Sequence, residues 1–330
     1  MSSIQLSKSN FFYNLDAIVA KTGSISKVAL VLKDNAYGHG LLEMASLAAE
    51  YGITKAIVRS NIEAKRVEDF FEYILVLSDI PKRVSKKIRY TINDFNTISQ
   101  FPKGTRVELK VNTSMNRNGV DIQDINKTID AINLQGLKLE AIFTHHSCAD
   151  ELNGNYEIQK KNFEQIKKSA PKGLCFHSCN SAALFREELF SEDMARVGIA
   201  AYGCLELPET FNAPKLQPVL SLYAKKISQR ELEIGESVGY GATFIAKSKL
   251  TVSNYDFGYG DGFLRACSNH YVTPHNIKIA GRISMDNSSF LSAQEKLLIF
   301  DDASVVSKFA KTISYEILTS LKSYIKREIV

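Results

Sequence analysis

The feature that most constrains the fold of this chain is a series of eight short apolar runs in its first two thirds. They occupy residues 27–32, 55–58, 73–77, 89–92, 106–111, 139–143, 174–177 and 195–199. Helix-like stretches lie between most of them, for example at residues 40–51, 61–71 and 155–169. Strands that alternate with helices predict a parallel sheet, and eight is the number of strands that closes a (β/α)8 barrel. An open doubly wound sheet is the rival architecture, but no G-x-G-x-x-G motif follows the first strand to support its dinucleotide-binding form.

After about residue 211 the pattern changes to short strands separated by glycine. Strands are predicted at residues 219–226, 236–240, 242–246, 249–253, 276–283 and 296–300, and helical patterning returns at residues 304–321. We therefore predict an α/β barrel at residues 8–213 and a mostly β domain at residues 214–330. Residues 1–7 are a candidate partner of this second domain.

Charge and cysteine content narrow the class of protein. The net charge of +5 is spread along the chain, which argues against a nucleic-acid partner. Five cysteines without the spacing of a disulfide framework favour the reducing cytoplasm. No run approaches the ~20 apolar residues of a membrane span. We expect a cytoplasmic protein without a membrane partner.

The chemistry of a barrel lies at the carboxyl ends of its strands, so the residues that follow each strand are the candidates. The first strand ends at Lys33, whose burial at the barrel mouth would lower its pKa and make it a Schiff-base nucleophile. Lys110 lies within the fifth strand, where an inward ammonium needs a partner, and Arg117 follows that strand. The sixth, seventh and eighth strands carry a further cluster of basic residues: His145, His177 and Arg196.

Non-catalytic interpretations of these residues stay open at this point. Lys33 alone fits a solvated strand end, and the histidines fit a core that satisfies local hydrogen bonds. Four side chains could form a zinc site with nitrogen and sulfur ligands: His145, Cys148, His177 and Cys179. Their spacing is not that of a zinc finger, and we expect no metal.

The loops after the seventh and eighth strands have the character of a phosphate site. A helix is predicted to open at Asn180 and Ser181, and Gly198 follows the eighth strand. Backbone N–H groups at a helix start, together with a glycine, bind phosphate at the loops where barrels often hold one. A phosphate there, a lysine on the first strand and an arginine on the eighth together describe a pyridoxal phosphate site.

The sequence KDNAYGHG at residues 33–40 closely resembles the cofactor-attachment motif of the alanine racemases, with Asp34 where that family usually has alanine. The resemblance covers essentially the whole chain in the family's order. It continues through residues 110–119, 143–145, 177–183, 196–203, 235–243, 258–262, 281–286 and 312–316.

The resemblance implies a racemase that interconverts L- and D-alanine and supplies D-alanine for peptidoglycan. It implies that Lys33 attaches pyridoxal phosphate and acts as the base on one face of the substrate. Tyr240, from the β domain of the partner in a homodimer, would act on the opposite face, because racemisation needs a proton to leave one side and return on the other. His145 and Arg117 match residues that position this tyrosine. Arg117 and Met285 of the partner subunit match residues that hold the substrate carboxylate.

His145 and further residues match the family's cofactor contacts. Arg196 would face the pyridine nitrogen and keep it unprotonated, with His177 behind it. The family residues that surround the phosphate match Tyr37, Ser181, Gly198, Ile199 and Tyr315 of this chain. Asn180 lies in the same turn. Lys110 matches a lysine that is carbamylated in many members.

Three features depart from the family pattern, and two alternative activities stay open. Asn112 stands where the family commonly has aspartate, and Ser114 replaces a usual glycine. In the C-terminal run only Arg327 aligns clearly. A serine or broad-specificity racemase of the same fold is the alternative, and a non-catalytic pyridoxal phosphate-binding protein is a remote one because such proteins resemble the barrel alone.

Overall fold

Eight parallel strands dominate the computed structural model, which describes residues 1–211 and 213–330. After the N-terminal strand β1 (Ser3–Leu6), these strands are β2 (Val28–Val31), β3 (Lys55–Val58), β4 (Tyr73–Val76), β5 (Ile88–Ile92), β6 (Arg106–Asn112), β8 (Lys138–Phe143), β9 (Cys175–His177) and β10 (Ala195–Val197). A short strand, β7 (Val120–Asp121), pairs with β6. The order around the sheet is β10-β2-β3-β4-β5-β6-β8-β9.

The two ends of this sheet approach each other and nearly close a barrel. The N–H of Asp193 donates to the Phe176 carbonyl at 3.2 Å, and the N–H of Arg196 donates to the Cys179 carbonyl at 2.9 Å. All four residues of β2 are buried, as expected for a parallel strand covered on both faces. The predicted barrel is confirmed, and the open doubly wound alternative is wrong.

Helices cover the barrel and extend into the last third of the chain. They are α1 (Lys8–Thr22), α2 (Lys33–Tyr37), α3 (Leu41–Tyr51), α4 (Asn61–Val67), α5 (Ile125–Leu134), α6 (Asn155–Ser169), α7 (Ser181–Arg186), α8 (Ala303–Ala310) and α9 (Ser314–Ser320). The start of α4 is fixed by a capping box in which Ser60 and Glu63 satisfy each other's backbone N–H groups. Among the described residues, every helix is too short or too polar to cross a lipid bilayer.

The last third of the chain is mostly β structure. Its strands are β11 (Leu220–Leu232), β12 (Ser237–Val238), β13 (Phe244–Ile245), β14 (Leu250–Tyr255), β15 (Ser288–Phe290), β16 (Lys296–Phe300) and β17 (Lys326–Ile329). The main sheet has the order β15-β14-β11-β1-β17, with β16 paired to β11. The N-terminal strand β1 is antiparallel to β11 and parallel to β17, so the first and last segments of the chain lie in one sheet.

Two predictions for this region are wrong in detail. Residues 276–283 form no regular strand and make isolated bridges, such as Ile279 to Phe290. The single helix expected at residues 304–321 is two helices, because Lys311 adopts a left-handed conformation (φ 54°) that ends α8 and Ile313 is extended. Helical periodicity on both sides of the break gave no warning of it.

Candidate active site

A cavity of about 500 Å³ opens at the carboxyl ends of the barrel strands. Eleven of the predicted site residues line it: Lys33, Tyr37, Lys110, Arg117, His145, Asn180, Ser181, Arg196, Gly198, Ile199 and Tyr315. Tyr315 comes from α9, so the C-terminal third of the chain completes the wall. A second cavity, of about 730 Å³, shares only Arg117 with the predicted set. The first cavity is therefore the candidate active site.

The helical turn α2, which carries Lys33 into this cavity, is left-handed. Asp34, Asn35, Ala36 and Tyr37 have φ values of 54°, 56°, 52° and 51°. Left-handed helical backbone costs a residue with a side chain roughly 1–2 kcal/mol, and it occurs as single residues rather than as runs. Four such residues in succession need strong support from their surroundings.

Part of that support comes from polar groups near the start of the turn. The N–H of Asp34 donates to a Glu63 carboxylate oxygen at 2.8 Å. The N–H groups of Gly40 and Leu41 donate to the backbone carbonyl and the side-chain oxygen of Asn35, both at 2.9 Å. Asparagine and aspartate tolerate left-handed backbone better than other residues with side chains, which fits their positions in this turn.

The lysine itself is less buried than the sequence predicted. Its side chain is 36% exposed, with Nζ 3.7 Å from an Asp34 carboxylate oxygen. The carboxylate belongs to the residue that departs from the family pattern. The prediction of a buried lysine is wrong: the strand ends at Val31, and Lys33 lines an open cavity.

Arg196 is held rigidly on β10. Its guanidinium is buried, and Nη1 donates to His177 Nδ1 at 2.7 Å and to the His177 carbonyl at 3.0 Å. Nη2 donates to the carbonyls of Thr144 at 2.7 Å and Ser178 at 3.0 Å. Among the described residues no hydrogen bond uses Nε, which leaves one donor of this cavity-lining residue free.

His177 lies behind Arg196 and does not line the cavity. Because its Nδ1 accepts from Arg196, its Nε2 carries the proton and donates to Glu108 at 2.9 Å. Burial lowers the pKa of His177, so the ring is neutral. Burial alone would raise the pKa of Glu108, but hydrogen bonds from His177 and Tyr73 bring it below its usual value. A buried carboxylate therefore fixes the tautomer of the histidine that orients the arginine.

The opposite wall of the cavity is built from hydroxyl groups and glycine backbone. Ser181 Oγ accepts the N–H groups of Gly198 at 3.1 Å and Ala200 at 3.3 Å. A Cβ at Gly198 would lie 2.8 Å from the Tyr37 hydroxyl, so a larger residue there would displace that hydroxyl. Burial raises the pKa of Tyr37 and of Tyr315, so both hydroxyls remain donors. Asn180 caps α7 by accepting the Ala183 N–H at 2.9 Å.

Positive charge accumulates on the remaining wall. Burial, reinforced by Arg117, Arg196 and Lys33, lowers the pKa of Lys110 to about 8. Among the described residues no carboxylate forms a salt bridge with Lys110 or Arg117. Asn112, two residues after Lys110 on β6, instead accepts the N–H groups of Ser114 and Asn116, at 3.2 and 3.0 Å, and shapes the loop before Arg117.

His145 lies on the same wall, next to Arg196. Its Nδ1 is 3.4 Å from Arg196 Nη2. Burial and the surrounding cations lower its pKa well below the usual range, so the ring is neutral. A neutral imidazole can accept a hydrogen bond from the arginine without adding to the positive charge of the cavity.

Tyr240 and Met285 do not reach the cavity of their own chain. Tyr240 is 68% exposed in a short turn of the β domain, and Met285 is 56% exposed. The Met285 backbone is held by a glycine-rich loop: the Gly260 N–H donates to its carbonyl at 2.7 Å, and a Cβ at Gly258 would lie 2.3 Å from the same oxygen. Both side chains are thus exposed to solvent, and the Met285 backbone is held in place.

The zinc alternative does not fit this geometry. Both ring nitrogens of His177 are already engaged, by Arg196 and by Glu108. Among the described residues, no group of three or more histidine, cysteine, aspartate or glutamate side chains is placed to hold a metal ion.

Two features of this site were missed by the sequence reasoning, namely Glu108 and the contact that the aligned Arg327 makes with Gly38. Glu108 precedes Lys110 by two positions on β6, and the two-residue period of a strand puts both on one face, so a signal for it existed. Arg327 contacts the carbonyl of Gly38 from a position 289 residues away, and no local pattern could have shown that.

Comparison with known proteins gives matches over nearly the whole chain. The model of the alanine racemase N-terminal domain matches residues 6–206, and that of the alanine racemase C-terminal domain matches residues 219–329. The chain is 41% identical over 340 residues to an alanine racemase of Campylobacter curvus, with all of both chains covered. It is 40% identical over 335 residues to one from a Nitratiruptor species, with 99% of each covered.

Solved structures show the same fold at lower identity. An alanine racemase of Clostridium difficile superposes with a TM-score of 0.89 at 23% identity, covering 100% of this chain and 95% of that one. One from Bacillus anthracis with bound L-Ala-P gives 0.87 at 23% identity, covering 100% and 95%. One from Bartonella henselae with covalently bound pyridoxal phosphate gives 0.85 at 23% identity, covering 100% and 99%.

Proposed function

The chain belongs to the alanine racemase family, and from that premise we propose that it interconverts L-alanine and D-alanine with pyridoxal phosphate attached to Lys33. The product D-alanine would serve peptidoglycan synthesis, and the expected compartment is the cytoplasm. The observation that carries the proposal is the single cavity in which Lys33, the Arg196 guanidinium and the hydroxyl wall around Ser181 meet.

The donor set of the cavity fits this cofactor. The free Nε–H of Arg196 is suited to face a pyridine nitrogen, because the other donors of the guanidinium are fixed by backbone carbonyls and His177. The hydroxyls of Tyr37, Ser181 and Tyr315 supply donors for a phosphate. Asp150 also lines the cavity, and its charge adds to the rise in the pKa of Tyr315.

Arg196 would also set the direction of the chemistry. When bound, the cofactor withdraws electrons from the α-carbon of an attached amino acid, which eases removal of its proton. A permanent cation beside the ring nitrogen would keep a proton off that nitrogen and so limit the electron withdrawal. Its four hydrogen bonds, to three backbone carbonyls and to His177 Nδ1, keep it in place and would favour racemisation over side reactions.

Two groups would then move protons on opposite faces of the substrate. Lys33 Nζ is proposed to take or return the α-proton on one face. The hydroxyl of Tyr240 of the partner subunit is proposed to do so on the other. The exposure of Tyr240 and its absence from the lining of its own cavity support a homodimer in which each site is completed by the other chain.

The cations on the third wall would bind the substrate carboxylate. Arg117 lines the cavity and has no carboxylate partner among the described residues, so its charge is available to a ligand. We assign it this role together with Met285 of the partner subunit, which would provide an apolar contact. His145, neutral and beside Arg196, would help to position Tyr240 of the partner subunit.

Lys110 is the candidate for carbamylation. A pKa of about 8 leaves part of its amine neutral at pH 7, and the neutral amine adds to CO2 with loss of one proton. The product is a carboxylate in place of an ammonium. It would pair with Arg117 and remove the repulsion among the cations, which Asn112 cannot do because its amide carries no charge.

The test is a coupled assay of D-alanine formation with an absorbance spectrum of the purified protein. We expect a visible band from the lysine-attached cofactor and interconversion of both enantiomers. Lys33→Ala should abolish both the band and the activity, whereas Lys172→Ala, at an exposed lysine, should change neither. Rates with alanine, serine, lysine and arginine measured side by side define the substrate. A protein without the band, or a fully active Lys33→Ala variant, contradicts the proposal.

A further inference from the structure

We propose that Arg327, on the last strand of the β domain, is a positioning residue that holds the left-handed turn of Lys33 in its working conformation. The inference rests on the proposed function, because it concerns the placement of Lys33 and Tyr37 in that reaction. The supporting contacts lie at the end of the turn, opposite to the contacts that Glu63 and Asn35 make near its start.

The central contact is a two-donor clamp on one carbonyl. Arg327 Nε and Nη2 donate to the Gly38 carbonyl oxygen at 3.0 and 2.7 Å. Gly38 directly follows the four left-handed residues, so the position of its carbonyl oxygen is set by the peptide plane that ends the turn. Two donors from one planar group fix that plane more firmly than a single donor can.

The Arg327 guanidinium is also held by hydrogen bonds to carbonyls of its own C-terminal segment. Nη1 donates to the carbonyls of Ile325 at 2.6 Å and Ser323 at 3.2 Å, and Nη2 donates to that of Lys322 at 3.2 Å. Arg327 also lies in β17, opposite Ile4 of β1. The clamp therefore fixes the turn in the barrel relative to the main β sheet.

The two glycines after the turn pack against the same C-terminal segment without spare room. A Cβ at Gly38 would lie 1.9 Å from the Leu318 carbonyl oxygen, and one at Gly40 would lie 2.7 Å from Arg327 Cδ. Glu43 faces the guanidinium from α3 and offsets its charge. Since the Arg327 side chain touches neither the cavity nor its lining hydroxyls, its effect on the reaction passes through the backbone of the turn.

Substitutions at this residue separate a positioning role from a general contribution to folding. Arg327→Lys keeps the charge and can offer one donor to the Gly38 carbonyl, whereas Arg327→Gln removes the charge and the clamp. Lys326→Gln is the matched control, because Lys326 is the adjacent residue of β17 and its side chain pairs with Glu328 at the surface. The full-length protein is used both as purified and after removal of pyridoxal phosphate.

Hydrogen exchange of three amides is the primary readout, because they are bonded within the turn: Ala36 to the Leu32 carbonyl, Gly38 to that of Asp34 and Gly40 to that of Asn35. With Arg327→Gln we expect these amides to exchange on the order of 10-fold faster or more, while amides of β3 and β4 keep their rates. The dissociation constant of pyridoxal phosphate should rise and kcat should fall, with an intermediate result for Arg327→Lys and none for Lys326→Gln.

The alternative outcomes are distinct. Faster exchange spread evenly over the barrel, or unchanged exchange in the turn, overturns the positioning role. If Arg327→Gln does not fold, Arg327→Lys with wild-type exchange in the turn likewise overturns it. Failure of the wild-type protein to racemise alanine contradicts the proposed function instead, while the exchange of the cofactor-free turn still decides the role of Arg327.

Discussion

Arg196 and Tyr240 represent two opposite ways of placing a functional group. Arg196 is 6% exposed and makes hydrogen bonds to His177 and three carbonyls of its own chain. Tyr240 is 68% exposed, and among the described residues its hydroxyl has no partner. The cavity walls around Arg196 are built within one chain, whereas the Tyr240 side chain of the β domain lies outside that cavity and is exposed. Folding of one chain thus builds the first region, whereas in our proposal the second region acts only against the cavity of another chain.

The strongest test of this contrast uses two inactive variants, Tyr240→Phe and Lys33→Ala, first separately and then in one dimer. Tyr240→Phe should lower kcat by about 10²- to 10⁴-fold, the usual worth of a positioned proton donor, while the cofactor stays bound. Proton exchange from one enantiomer should suffer much more than from the other. Tyr13→Phe, at an exposed tyrosine of α1, is the control and should retain full activity.

Mixing then tells whether the site is shared between chains. A mixed dimer of Lys33→Ala and Tyr240→Phe chains contains one site with both groups intact. Random pairing should therefore recover about a quarter of the wild-type activity. Recovery is measured after co-expression with two different affinity tags. No recovery in the isolated mixed dimer would mean that Tyr240 acts within its own chain or not at all.

The buried hydrogen bonds behind Arg196 can be disrupted by substituting Glu108. Glu108→Leu leaves the Nε2–H of His177 and the hydroxyl of Tyr73 without an acceptor in the barrel interior. We expect the free energy of unfolding to fall by about 3 kcal/mol. Glu108→Gln can still accept from His177 through its amide oxygen, and it should lose less. Denaturant unfolding measures both, and equal stabilities of the Leu and wild-type proteins would refute the histidine–carboxylate link.

The cations of the barrel mouth predict a pH dependence of stability. The pKa of Lys110 is about 8 in the folded chain and 10.5 ordinarily. The unfavourable charge is therefore fully present below pH 8. Stability should rise from pH 8 toward 10.5, where the unfolded chain still holds the proton that the folded one has lost. Lys110→Met should gain about 2 kcal/mol at pH 7 in CO2-free buffer.

Thermal unfolding at several pH values checks this prediction. The advantage of Lys110→Met should shrink as the pH approaches 10.5. Adding bicarbonate should stabilise the wild-type protein and leave the variant unchanged, because only the lysine can be carbamylated. A constant advantage at every pH would show that packing, and not charge, explains it.

The smallest expected effect concerns the loop before Arg117. Ser114 has a φ of 121°, a region that glycine adopts freely and serine does not. Ser114→Gly should raise the free energy of unfolding by about 0.5–1 kcal/mol, after allowing for the greater freedom of glycine in the unfolded chain. Ser114→Ala keeps the strain and serves as the control. A destabilised glycine variant would show that the loop is not strained at this residue.

Much of the barrel could be predicted because burial on both faces gives each strand a continuous apolar run. The strands β3, β4, β5, β6 and β8 were placed within about a residue at their ends by this pattern alone, whereas the two-residue strand β7 was not predicted. The β domain was harder, since residues 276–283 carry the composition of a strand but find their backbone partners in turns and isolated bridges. The end of α8 at Lys311 was missed for a similar reason: a left-handed residue without glycine leaves no mark in the sequence.

The sequence by itself determined the alternation of strands and helices, the residue types at the strand ends and the resemblance that led to the family. These properties are local, because each is written in a few neighbouring residues. Only the tertiary structure decided the handedness of the Lys33 turn, the link from Glu108 to Arg196 through His177, the clamp of Arg327 on Gly38 and the exposure of Tyr240. Glu108 and His177 are 69 residues apart and Arg327 and Gly38 are 289 apart. Contacts over such separations form only when the closed barrel and the sheet that joins both chain ends bring them together.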